Sequence, residues 1–122
     1  MIKTLFLLFL FLTASVYAND SINDSLSKAL MLLEEGRVQE FIDAYVYPVD
    51  LEKIRTEKSP DQIITEFKDE KLVNMKDILK NALVTTPLLK NNGNSAEFVL
   101  EINKKKLVLK MEKIEDRWYI RN

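Results

Sequence analysis

Ala96-Glu97-Phe98-Val99-Leu100-Glu101-Ile102-Asn103-Lys104-Lys105-Lys106-Leu107-Val108-Leu109-Lys110-Met111-Glu112 is the stretch that decides the fold class of this chain. Ala96, Phe98, Leu100 and Ile102 alternate with Glu97, Val99 and Glu101. After a polar turn at Asn103 to Lys105, Leu107, Leu109 and Met111 alternate with Val108, Lys110 and Glu112. A period of two sends successive side chains to opposite faces, as in a strand with one buried face, and two such runs joined by a short turn predict a hairpin. Working outward, Glu115-Asp116 makes another turn. Arg117 to Arg121 then forms a last strand with Trp118 and Ile120 on one face and Tyr119 on the other. Upstream, Pro87 and the turn-forming Asn91-Asn92-Gly93-Asn94 enclose Leu88-Leu89, a candidate edge strand.

Before Thr86 the apolar period is helical. Ile22, Leu26, Ala29, Leu30 and Leu33 predict an amphipathic first helix, stopped at Gly36. Val38, Phe41, Ile42 and Tyr45 predict a second, shorter helix ending before Pro48. Val49, Leu51 and Ile54 mark a connector with an apolar underside. Ser59-Pro60-Asp61-Gln62 carries a cap, a first-position proline and an acidic first turn, the signature of a helix start. Its stripe is Ile63, Ile64 and Phe67, continued by Leu72, Met75, Ile78, Leu79 and Ala82 after one step of five residues. Two helices, or one with a bend near Lys71, fit that step equally well. Helices first and strands last predict an α+β fold, with N-terminal helices packed on one face of a C-terminal three- to four-stranded antiparallel sheet.

The N-terminus has a different use. Lys3 precedes the apolar run Leu5 to Leu12, and Val16-Tyr17-Ala18 places small residues where a signal peptidase reads, just before Asn19-Asp20. Met1 to Ala18 is therefore expected to be a signal peptide cleaved between Ala18 and Asn19. Its uncharged part is about 15 residues, short of the roughly 20 that span a bilayer. With no cysteine in the chain there is no site for lipid attachment. The expectation is a protein exported to the periplasm or beyond, free of the membrane once the signal is removed. It would consist of a single α+β domain over residues 19–122, with a polar leader at 19–25.

Composition excludes several functions. Loss of Met1 to Ala18 removes one basic side chain, Lys3, from 18 basic and 19 acidic ones, leaving a net charge of about −2. No nucleic-acid partner is expected from that balance. Lys104, Lys105, Lys106, Lys110 and Lys113 read as a solvated face. The chain has no histidine and no cysteine. It can build no thiol nucleophile, no Ser-His-Asp triad and no usual zinc or copper site, so neither a metal nor a cofactor is expected. Two glycines leave no phosphate-cradling loop.

Two stretches resemble a known family. Leu33-Glu34-Glu35-Gly36-Arg37-Val38-Gln39-Glu40-Phe41-Ile42, followed by Tyr45-Val46-Tyr47-Pro48, and Lys113-Ile114-Glu115-Asp116-Arg117-Trp118-Tyr119-Ile120 are similar to segments of small exported members of the nuclear-transport-factor-like, ketosteroid-isomerase-like superfamily. Together they bracket Leu26 to Asn122. The resemblance implies a cone-like fold in which a curved sheet wraps a long helix and leaves a pocket at its open end. Some relatives are isomerases, dehydratases or cyclases, but no Tyr or Asp here matches their catalytic motifs, so no catalytic residue is assigned.

Phe41, Tyr45, Tyr47 and Trp118 are the candidate ligand-binding residues, because aromatic rings supply contact area and a tyrosine hydroxyl can orient a ligand. The helical spacing of Phe41 and Tyr45 is equally what core packing produces, and core packing is the commoner use of such residues. The reading is a non-enzymatic exported domain that binds a small apolar ligand or a protein partner. Two alternatives stay open: an isomerase-like enzyme using carboxylate and tyrosine, and an inhibitor or immunity-type protein using the sheet face or the edge near Leu88.

Overall fold

A computed structural model describes residues 22–122. The signal segment, its cleavage point at Ala18 and Asn19, and the start of the polar leader lie outside the described residues. Residues 22–34 are helical (α1), with Leu26, Ala29 and Leu33 buried at helical spacing. Gly36 ends this helix at φ 76°: its N–H donates to the Leu33 carbonyl, and the Arg37 N–H donates to that of Leu32. Those two bonds satisfy carbonyls at the helix end and turn the chain directly into α2, Val38–Tyr45.

Pro48 opens α3 (Pro48–Glu57), which buries Leu51. Ser59 caps α4 (Pro60–Glu66), its hydroxyl accepting the Gln62 N–H at 3.2 Å. The five-residue step is taken up inside one helical run, with the backbone irregular at Lys71 (φ −121°, ψ −19°), where the single-helix expectation put its bend. Phe67–Lys71 is a π-helical segment, and α5 (Leu72–Leu83) follows it without a break. In an α-helix, five residues overshoot one turn by about 140°. The wider π turn closes over those same five residues, so Phe67 and Leu72 both reach the core side.

The sheet is a four-stranded antiparallel meander in the order β1 (Leu88–Lys90), β2 (Ser95–Ile102), β3 (Lys105–Ile114) and β4 (Arg117–Arg121). Ala96 pairs with Met111, Phe98 with Leu109, and Met111 with Ile120, which sets the buried rows of one face. Asn103 and Lys104, and again Glu115 and Asp116, have φ between 49° and 66°. Positive φ at both central residues is the geometry of two-residue hairpin loops whose twist matches the strands.

Among the described residues the helices lie on the inner face: α5 packs on β2 and α2 on β4, closing a core around Leu26, Phe41, Leu79, Phe98 and Met111. The fold is thus the expected α+β arrangement, with four strands. The opposite face carries Glu97, Lys110, Glu112 and Arg121, with Val99 paired to Val108 and both about half exposed. Leu107 shares the inner face with Leu109 yet is 38% exposed. Residues 103–108 are all exposed, so the tip of this hairpin extends past the helical layer.

The two sheet edges differ. Val46 forms a parallel bridge to Ile120, and the Tyr47 N–H donates to the Ile120 carbonyl at 2.8 Å, so the α2–α3 junction extends the sheet beyond β4. At β1 the outer edge has no strand beside it among the described residues.

Candidate functional site: an apolar pocket with a charged rim

The main pocket has a volume of about 480 Å³ and lies where α2, α3, the α4–π–α5 helix and the end of β4 meet. Each wall follows from local sequence. The apolar face of α2 contributes Phe41 and Ile42, and the underside of α3 adds Leu51 and Ile54. The long helix presents Ile63, Phe67 and Met75. Ile120 closes the inner end, where the Val46 bridge anchors α2–α3 to the sheet. Phe41 and Phe67 stack at 5.5 Å between centroids with a 38° tilt, joining the two helical walls.

Six ionisable side chains surround this apolar interior: Asp50 and Lys53 from α3, Lys58 from the α3–α4 loop, Glu66, Lys71 and Arg121. Lys58 donates to Glu66 in a salt bridge that ties the α3–α4 loop to the long helix. That bond holds the Glu66 carboxyl below the usual carboxylate range and the Lys58 ammonium above the usual lysine value. The Asp50 carboxylate accepts the Asn122 N–H at 2.8 Å, fastening α3 to the end of β4. Arg121 lies 5.6 Å from the Tyr47 ring centre and 3.6 Å from Glu112. Lys53 and Lys71 are exposed on facing walls and have no ion pair among the described residues.

Of the four aromatic residues singled out in the sequence, Phe41 alone lines this pocket. Tyr45 packs 6.1 Å from the Phe41 ring and is half-buried, and the loss of water around it pushes its hydroxyl pKa up. Tyr47 flanks the rim beneath Arg121 while its backbone pairs with the sheet. Trp118 is buried in the core on the inner sheet face, with the Lys113 ammonium 5.9 Å from its ring centre.

The lining that aromatic composition missed is aliphatic: Leu51, Ile54, Ile63 and Met75. Its sequence signals were the apolar underside of the α3 connector for Leu51 and Ile54 and the stripe of the long helix for Ile63 and Met75. Lys53 and Lys71 carried no signal, because exposed lysines are unremarkable on any helix. Among the described residues no group of three or more Asp, Glu, His or Cys side chains is placed to hold a metal ion. Among the same residues, no helix is long and apolar enough to cross a membrane.

The arrangement can exclude water from an apolar guest while presenting charge to whatever projects from the mouth. No family model matches this chain, and neither a curated protein nor a solved structure does.

Proposed function

We propose that this chain is a small exported, non-enzymatic domain that binds an apolar ligand in the pocket between α3 and the long helix. The observation that carries the reading is the pocket itself: about 480 Å³, with an aliphatic and aromatic lining and six charged side chains that are partly or fully exposed. That volume falls within the roughly 300–1,000 Å³ usual for small-molecule sites. Export is supported by the Lys3, Leu5–Leu12 and Val16-Tyr17-Ala18 pattern. Membership of the nuclear-transport-factor-like superfamily is part of the proposal, supported by the helix–Gly36–helix stretch and the closing Trp118-Tyr119-Ile120 strand. A non-catalytic role is supported by the chemistry at the rim. A general acid needs a carboxyl with a raised pKa, whereas Glu66 is held ionised by Lys58, and among the described residues no tyrosine lines the pocket.

The test is titration with an apolar fluorescent probe, N-phenyl-1-naphthylamine. Saturable one-to-one binding is expected, together with its loss in Ile54→Trp, where the larger ring fills the pocket from a partly exposed wall position. Binding that is absent in the parent chain, or unchanged in the filled variant, would overturn the reading.

A protein-partner reading is favoured by a separate observation. Leu88 and Leu89 are 58% and 59% exposed on the open edge β1, next to Val84 at 85%. Open edges accept an added strand. Leu89→Lys should abolish such pairing and leave probe binding intact, which separates the two readings.

A further inference from the structure

The rim charges are unequal, and the inequality specifies a ligand. Four cationic and two anionic side chains border the pocket, beside the main chain of Asn122. Both anions are already engaged, Glu66 by Lys58 and Asp50 by the Asn122 N–H. Arg121 is shared between Glu112 and the Tyr47 ring. That leaves Lys53, on α3, and Lys71, at the last position of the π segment, as the two lining ammonium groups with no ion pair among the described residues, Lys71 acting on the Glu66 carboxylate only through its field. Positive potential at the mouth of a low-dielectric cleft attracts an anion there, and the apolar interior favours a hydrocarbon chain below it.

We infer that the ligand is a single-chain amphiphile with an anionic head, its chain inserted between Phe41, Ile54 and Met75 and its head held by Lys53 and Lys71. This rests on the apolar-pocket reading above and adds the head-group chemistry to it. The amphiphile is taken as a free monomer. The pocket is bounded by α3 on one side and the long helix on the other, so its apolar surface lies in a recess between two walls and not on a flat face turned to a bilayer.

The experiment is displacement of N-phenyl-1-naphthylamine from the purified chain by decanoate, decanol and decyltrimethylammonium. All are used below their micellar concentrations, at low salt and neutral pH. Decanoate is expected to compete at least tenfold more strongly than decanol, and the cationic amphiphile more weakly than either. In Lys53→Gln/Lys71→Gln, checked for an unchanged melting temperature, decanoate should fall to the level of decanol while decanol is unaffected. Lys104→Gln, in the distant hairpin turn, should retain the preference.

Decanol binding as tightly as decanoate would overturn the anionic head and leave the apolar pocket standing. Failure of the probe and all three amphiphiles would overturn both. Equal losses in Lys104→Gln and the double variant would overturn the placement of the head, because only net charge would then matter. Binding to phosphatidylglycerol vesicles without binding of monomeric decanoate would overturn the monomer assignment.

Discussion

The Leu72 N–H donates to the carbonyl of Phe67, five residues earlier, and that bond keeps both side chains on the core side of one continuous helix. Phe67 is buried and stacks on Phe41 across the pocket, so an irregular backbone turn determines where one wall of the candidate site stands.

If the π turn is one residue too many for an α-helix, removing an exposed residue from it should be tolerated. Deletion of Asp69 places Phe67 and Leu72 four residues apart, the spacing at which an α-helix keeps them on one face. The melting temperature should hold or rise. Deletion of exposed Asn74 would instead rotate Met75, Ile78, Leu79 and Ala82 by about 100° and cost more than about 3 kcal/mol. Comparable losses from both deletions would show that the π turn is itself required for stability.

The cap at Ser59 stabilises the start of the long helix. Ser59→Ala leaves the Gln62 N–H without its 3.2 Å acceptor and should cost about 1 kcal/mol in a denaturant titration. Ser59→Asp, which restores an acceptor beside a helix N-terminus, should recover most of that loss.

Two backbone substitutions should act in opposite directions. A Cβ at Gly36 would meet nothing within 4 Å, but φ is 76° there, so Gly36→Ala should lower stability by about 1 kcal/mol through conformation alone. Lys104 holds φ 66° with a full side chain in a two-residue hairpin loop after Asn103, which has φ 54°. Lys104→Gly produces the favoured Asn-Gly loop and should raise the melting temperature by a few degrees.

The Lys58–Glu66 pair should make stability depend on pH in a defined window. Glu66 titrates below its unfolded value because Lys58 bonds its ionised form. Its contribution is therefore complete above the ordinary carboxylate pKa of about 4.3 and is lost as pH falls through the lowered folded value. Glu66→Gln should melt below the parent at neutral pH, with the gap closing in acid and narrowing at high salt. A gap that stays constant from neutral to strongly acid pH would mean that the pair contributes through packing and not through charge.

Much of the fold was legible because its signals are local. The alternation from Ala96 to Met111 reports which face of each strand is buried, and Ser59-Pro60 reports a helix start through bonds that span only three residues. The five-residue step from Phe67 to Leu72 was visible as a break in period. Its resolution was not, since a π turn, a bend and a second helix all accommodate the same spacing. The site was less legible than the fold. Phe41 was found because it is aromatic and periodic, whereas Ile54, Met75 and Ile120 come from three distant segments that meet only when Val46 bridges to β4.

By itself, then, the sequence determined which segments are helix and which are strand, their order, the two-layer α+β class and the exclusion of chemistry that needs histidine or cysteine. These depend on side-chain period, caps and composition, which act over a few residues. Tertiary structure alone decided that the underside of α3 faces the long helix across a gap, that Trp118 and Tyr45 pack away from that gap, and that Lys53 and Lys71 share its rim. Those relationships depend on how rigid elements pack against each other, and no local pattern in the chain encodes the space left between them.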